Sequence, residues 1–309
     1  MKRKQVIVFG TILLFSASLF GLSACGSAAE VKSGSKITVA VSVVPEATFV
    51  AKVAGDLVDI VTIIPSGNSP ANYQPTTIEM QALSDAAVYF VMQVPTEEAN
   101  ILPKVTDFNS DILLVNLRDA VSAVYPLRET SDHHHDEDEE EVKDHEATLS
   151  VDPHIWLSPR RVIVMVETIR DTLCEMDPEN ADIYTQNAAA YIEELNALDA
   201  DIAGIVSGMD TKAFMIYHGA YGYFADDYGL EMISLEVDGK AASATVMAEA
   251  IEHAKEENIK HIFYQDEFDD NQAKTVAEEI GGTVVETRPL ASDYIAALTE
   301  FADALAAGE

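Results

Sequence analysis

Apolar positions along the chain come in short, dense runs rather than in a steady helical rhythm. Four of these runs precede residue 120: "KITVAVSVV" (Lys36–Val44), "VDIVTIIP" (Val58–Pro65), "AAVYFVM" (Ala86–Met92) and "DILLVNL" (Asp111–Leu117). They are rich in Val and Ile, and helix-compatible stretches separate them. That alternation predicts βα units around a parallel sheet, whose buried strands read as near-continuous apolar runs. The pattern recurs after residue 210 in "KAFMIYH" (Lys212–His218), "LEMISLE" (Leu230–Glu236), "KHIFYQD" (Lys260–Asp266) and "GTVVETR" (Gly282–Arg288). Helical stretches at Thr245–Asn258 and Asp270–Ile280 fit between them. The expected fold is α/β, with two lobes, each a roughly four-stranded parallel sheet flanked by helices, and a cleft between them.

The middle of the chain changes period. Ser158 can cap a helix whose first position is Pro159, with an apolar stripe of Val162, Val166, Ile169, Leu173 and Met176. A second helix, expected to begin at Asp177-Pro178, carries Tyr184, Ala188, Tyr191, Leu195, Leu198, Ile202 and Ile205 at three- and four-residue spacing. At ~1.5 Å per residue it forms a rod of about 40 Å, long enough to run along both lobes. The expected organisation is therefore a lobe over 37–176, a linking helix over 177–209 and a second lobe over 210–309.

The N-terminal 36 residues belong to neither lobe. Lys2, Arg3 and Lys4 precede an apolar run from Val6 to Phe20, and small residues follow it, as in a signal segment spanning 1–24. "LSAC" (Leu22–Cys25) resembles a bacterial lipobox, and by that resemblance Cys25 carries a lipid. Residues 25–36 have the composition of a tether. Only one other cysteine is present, Cys174, which leaves the mature chain no intramolecular disulfide. It lies in an apolar helical pattern and is expected to be a small buried hydrophobe.

Charge narrows the partners. With 19 Lys and Arg against 53 Asp and Glu, the chain carries a formal net charge of −34. A phosphate backbone would be repelled, so nucleic acid is excluded as a partner and cations are favoured. The stretch 131–146, "SDHHHDEDEEEVKDHE", sets His133, His134, His135 and His145 among carboxylates. Its composition cannot bury a core, so it is expected to be disordered. Imidazoles with carboxylates suit borderline cations such as zinc. The stretch reads either as a metal-recruiting loop or as a solvated spacer.

In open parallel α/β sheets, ligands bind beyond the carboxyl ends of the strands. That rule selects His218, Gln265 and Arg288 in the second lobe. In the first it selects the Pro65–Pro75 loop and the region after Met92. His154, in "VDPHIWL", stands where the chain leaves the first lobe. Each of these two histidines reads either as a ligand or as a hydrogen-bonded core residue. His253, in a helix, and His261, at a strand start, read as structural. The sequence contains no HExxH, GxSxG or GxxxxGK[ST] pattern, which favours binding over turnover and argues against an enzyme.

Three stretches together resemble one family. "VDPHIWLSP" (Val151–Pro159), "MIYHGAYGYFADDYGL" (Met215–Leu230) and "MDPENADIYTQNAAAYIEELNALD" (Met176–Asp199) are close to motifs of the zinc- and manganese-binding receptors of bacterial ABC transporters, which include streptococcal adhesin-like lipoproteins. The resemblance implies a metal held between two α/β lobes and handed to a membrane permease served by a separate ATPase. It implies a monomeric lipoprotein on the outer face of the plasma membrane, Gram-positive in style, whose cargo is Zn2+, or else Mn2+ or another divalent transition metal. It also implies that His154 and His218 are metal ligands.

Other positions depart from the family pattern. "PANYQP" (Pro70–Pro75) carries Ala71 where the family's first metal histidine belongs. Gln265 replaces a frequent carboxylate, and Arg288 in "TRPL" replaces a frequent aspartate. Three outcomes stay open. Arg288 turns away to a carboxylate such as Glu286 or Asp266, and water with Asn72, Gln265 or Asp293 completes the metal site. Or Arg288 clamps an anion, so that the ligand is an acidic metabolite or a metal chelate. Or the protein is an adhesin-like interaction partner without cargo.

Overall fold

Eight strands form two parallel sheets with the same internal order. In a computed structural model that describes residues 36–131, 149–237, 240–265, 267 and 271–308, β1 (Ile37–Val41), β2 (Val58–Thr62), β3 (Val88–Val91) and β4 (Leu113–Asn116) make the first sheet, ordered β2-β1-β3-β4. A small antiparallel pair follows, β5 (Glu129–Ser131) with β6 (Leu149–Val151). The second sheet contains β7 (Ala213–Ile216), β8 (Glu231–Ser234), β11 (His261–Gln265) and β12 (Thr283–Thr287), ordered β12-β11-β7-β8. Between β8 and β11 lies a short antiparallel pair, β9 (Glu236–Val237) and β10 (Lys240–Ala241). Read in chain order, each sheet runs second, first, third, fourth. Each therefore has its switch point between its first and third strands.

Register follows the alternation of side chains across each sheet. Val39 and Val41 of β1 lie opposite Val88 and Phe90 of β3. These four belong to a core that also holds Phe49 of α1 (Val44–Ala54). Ala40 and Tyr89, one residue out of phase, face the other side with Ile63 and Leu83 of α2 (Thr77–Ser84). Short helices α3 (Val105–Phe108) and α4 (Leu117–Ser122) flank β4 in the chain.

Two helices tie the lobes together. α5 (Pro159–Met176) is capped by Ser158, whose Oγ accepts from Arg161 N–H at 3.3 Å. It buries Val162, Val166, Ile169 and Leu173 as expected, while Met176 is half-buried. The long helix α6 spans Ala181–Gly208, after a one-turn 3-10 segment at Pro178–Asn180. The helical run thus starts at Pro178, as Asp177-Pro178 suggested, and becomes α-helical at Ala181. Asp177 caps no backbone N–H there. Its carboxylate accepts from Asn180 Nδ2 at 2.7 Å and from the Tyr184 hydroxyl at 2.8 Å. The buried stripe of α6 runs from Tyr184 to Ile202 as read, but ends on Val206, with Ile205 only half-buried.

One continuous core runs from the first sheet through α5 and α6 into Phe214, Phe263 and Phe301 of the second lobe. The outer face of the second sheet has its own cluster, including Met215, Ile262 and Val276. The helices of that half are α7 (Gly222–Tyr228), α8 (Ala244–Glu256), α9 (Asn271–Ile280) and α10 (Tyr294–Ala307). Because the inner faces of both sheets share one apolar core, relative movement of the lobes would expose apolar area at about 25 cal/mol per Å². Cys174 is half-buried rather than buried, and its thiol lies 3.6 Å from Ala181 O. No described helix is long and apolar enough to cross a membrane. Cys25, the tether, His133, His134, His135, His145 and Asp266 lie outside the described residues.

Candidate metal centre

His218 stands two residues beyond the end of β7, where a strand end at a switch point should put a ligand-facing group. His154 reaches the same place from a different direction. It follows β6 and opens a 3-10 turn, Ile155–Leu157, whose three side chains are all buried. That turn anchors the imidazole from below, and the Trp156 indole donates Nε1–H to Pro289 O at 2.9 Å. The two rings meet with centroids 5.1 Å apart and planes at 75°, and their Nε2 atoms are 3.3 Å apart.

A carboxylate stands behind each ring. Asp152 Oδ1 lies 2.8 Å from His154 Nδ1 and also accepts the His154 backbone N–H at 2.9 Å. Glu236 Oε2 makes a short hydrogen-bond contact with His218 Nδ1. Asp152 and Glu236 side chains are 3% and 7% exposed, while His154 and His218 are 15% and 21% exposed. The carboxylates are thus the inner layer and the imidazoles the outer one. A carboxylate at Nδ1 favours the tautomer that keeps its proton there and puts the ring's lone pair on Nε2. Two such lone pairs facing each other at hydrogen-bond distance repel unless a proton or a cation stands between them. Among the described residues, this pair brings two imidazole nitrogens from separate parts of the chain to one point. Asp152 lies inside the "VDPH" run and Glu236 ends the "LEMISLE" run, but spacing alone does not mark either as the partner of an imidazole.

The remaining candidates have other partners. Gln265 is buried and donates Nε2–H to His218 O at 3.3 Å, so it braces the main chain of His218. Arg288 is exposed and pairs with Glu300 of α10, a carboxylate distinct from the expected Glu286 and Asp266. Glu286 instead accepts from the Tyr264 hydroxyl at 3.1 Å. Asp293 caps α10, accepting from Ala296 N–H at 3.3 Å. Asn72 and Ala71 are exposed in a loop whose backbone is pinned through Tyr73 O to Thr96 and Asn100. His253 lies 3.7 Å from Glu231, and His261 Nδ1 lies 2.9 Å from Ala304 O, which fits the structural reading of both. Among the described residues, no group of three or more His, Cys, Asp and Glu side chains forms a complete metal cage.

The first lobe fills its own switch point differently. Just past β1, the Ser42 N–H donates to Glu46 Oε2 at 2.7 Å, and the Ser42 hydroxyl donates to Glu97. Glu97 also accepts from the Tyr89 hydroxyl at 2.5 Å and from Met92 and Val94 N–H at 3.1 and 2.9 Å. Both carboxyl groups are fully buried. Burial, and then the charge of Glu97, push the Glu46 carboxyl well above its usual range. Burial also raises Glu97, against the hydrogen bonds from Ser42 and Tyr89 that lower it.

Residues 39–308 match the family described as zinc-uptake complex component A, periplasmic. The zinc-binding protein AdcA of Streptococcus pyogenes serotype M3 is 30% identical over 303 residues, covering 94% of this chain and 56% of AdcA. The chain therefore spans about half the length of that curated relative. The manganese-binding lipoprotein MntA of Halalkalibacterium halodurans is 28% identical over 233 residues, covering 74% of this chain and 71% of MntA. A crystal structure of ZnuA superposes with a TM-score of 0.78 at 33% identity, covering 88% of this chain and 99% of that one. With a match over nearly all of both lobes, the chain belongs to the zinc-uptake complex component A family.

Proposed function

We propose that this protein is a metal receptor at the cell surface. It captures a divalent transition metal, zinc foremost and manganese as the alternative, and delivers it to an ABC permease and its ATPase. It binds its cargo and does not turn it over. His154 and His218 ligate the ion through Nε2. Cys25 carries the lipid that holds the receptor on the outer face of the membrane, and the histidines at 133, 134, 135 and 145 recruit ions toward the cleft.

The observation that carries this reading is the 3.3 Å separation of the two Nε2 atoms. Two nitrogens bound to one tetrahedral zinc at ~2.0–2.1 Å are about 3.3 Å apart. The carboxylates behind the rings add the outer layer that fixes the tautomer and orientation of ligating imidazoles. Water or an exogenous donor completes the four-coordinate set. Arg288, whose charge would repel a cation at close range, pairs with Glu300 at the surface.

The test is calorimetry on demetallated protein lacking residues 132–148, which removes competing imidazoles. Zinc is expected to bind at one site per chain, and the combined His154→Ala and His218→Ala substitutions to abolish that binding. Equal zinc binding by the double variant would sink the reading.

A further inference from the structure

The two ligating imidazoles come from parts of the chain 64 residues apart, so something must hold their separation. The groups on the page that meet this requirement converge on Arg128, just before β5. Its main chain is locked to that of Asp152: Asp152 N–H donates to Arg128 O at 2.9 Å. The Tyr223 hydroxyl accepts from Arg128 N–H at 3.1 Å and donates to Asp152 O at 2.9 Å. The guanidinium then reaches across to the second lobe, where Nη1 meets Asp226 Oδ1 at 2.6 Å.

The same guanidinium faces the carboxylate that holds His154. Asp152 Oδ1 is taken up by His154, while Oδ2 lies 3.7 Å from Arg128 Nε. Both Oδ2 and Nε are buried with no hydrogen-bond partner, and they face each other as opposite charges. Gly222, the first residue of α7, packs into this contact. A Cβ there would come within 2.6 Å of Arg128 Nε and 2.7 Å of Asp152 Oδ2, so only glycine lets α7 approach so closely. Gly222 follows His218 by four residues, and Asp226 lies one turn further along α7.

We propose that Arg128 is a positioning residue that clamps Asp152 to α7, and so sets the distance between His154 and His218 and the tightness of the metal grip. This inference rests on the reading of those histidines as ligands. Arg128 does not touch the ion. It acts by keeping the Asp152 carboxylate from rotating away from His154 Nδ1, and by drawing the helix that follows His218 toward the same carboxylate. Loss of a group supporting a metal ligand lowers affinity by roughly 10–100-fold, and the clamp is expected to act at the lower end of that range.

The full chain provides the test. Arg128→Gln, Arg128→Lys, Asp226→Asn and the Arg128→Gln/Asp226→Asn pair are compared with the parent. The readouts are zinc held at one equivalent against a chelator, the visible bands of the cobalt-loaded protein, and the melting of the metal-free form. Asp226 is half-exposed, so Asp226→Asn reports even if a substitution at Arg128 prevents folding. The expected result is a loss of zinc affinity of about tenfold for Arg128→Gln and for Asp226→Asn, no further loss in the pair, and partial recovery in Arg128→Lys. Shifted cobalt bands with little change in metal-free melting for Asp226→Asn would separate positioning from general stabilisation. Unchanged affinity and cobalt bands in Asp226→Asn and in folded Arg128→Gln, with binding still lost in His154→Ala, would overturn the clamp alone. Wild-type zinc binding by His154→Ala would overturn the metal-centre reading and this inference with it.

Discussion

The two sheets share a strand order and differ in what occupies their switch points. In the first lobe, the space beyond β1 and β3 is closed by two buried carboxyl groups, Glu97, which accepts from Ser42, Tyr89 and backbone N–H groups, and Glu46, which accepts from Ser42 through Oε2 while its Oε1 is buried without a partner. In the second lobe, the space beyond β7 opens on His218, with its carboxylate, Glu236, set behind it. The same topology thus turns its acids inward on one side and its imidazole outward on the other. A strand end at a switch point offers room for a ligand. Whether a ligand is met there depends on which side chain fills the room first. The outward group of the first half comes instead from His154, outside its parallel sheet, after the β5–β6 pair.

Substitutions can break or sharpen this contrast. The largest effect is expected at the outward pair. His154→Ala or His218→Ala alone should weaken zinc binding by about 100-fold or more, since a structural zinc set gains roughly 10–16 kcal/mol over its ligands. Competition against a chromophoric chelator reads it. Equal and small losses at both positions would mean the ion rests elsewhere.

The inward pair should act on stability and leave the metal alone. Glu97→Gln turns an acceptor of several donors into a group that presents its own N–H to them, at a cost on the order of 3 kcal/mol. Denaturant melts should show that loss while zinc affinity stays at the parent value. The outer carboxylates should behave in the opposite way. Asp152→Asn and Glu236→Gln are each expected to cost roughly 10–100-fold in zinc affinity.

A finer contrast is pH. Glu46 is raised in the folded chain by burial and by Glu97, so the folded state keeps a proton that the unfolded state releases. The corresponding stability is complete below the unfolded carboxyl pKa and is lost as pH rises toward the folded value. The slope is about 1.4 kcal/mol per pH unit for one proton. Glu46→Gln, neutral at every pH, should flatten that slope in melts taken from weakly acidic to alkaline buffer. The smallest effect is expected at Arg288, whose charge is spent on exposed Glu300. Arg288→Ala should change zinc affinity less than twofold, because a solvated ion pair at the surface contributes little. A larger gain in affinity would restore Arg288 to the cation's neighbourhood.

Much of the frame was legible from residue patterns. All eight main strands fall inside the apolar runs read from the chain, and the stripes of α5 and α6 bury nearly the residues their spacing selected. Detail was added at helix ends, where local rules compete. Asp177 looked like a cap because it precedes Pro178, yet its carboxylate takes the Tyr184 hydroxyl and the α-helix starts at Ala181. Asp293, offered as a completing donor, accepts the Ala296 N–H through Oδ1 at the start of α10.

Sequence by itself determined the elements, the twin α/β design and the two histidines as candidates, because burial period and strand-end position are local properties of the chain. Only tertiary structure decided that the two Nε2 atoms meet at 3.3 Å, that Asp152 and Glu236 stand behind them, and that Arg288 turns to Glu300. Those are side-chain directions set by the packing of segments 64 residues apart in the case of the histidines, and packing at that range follows from the shared core, which no stretch of sequence contains.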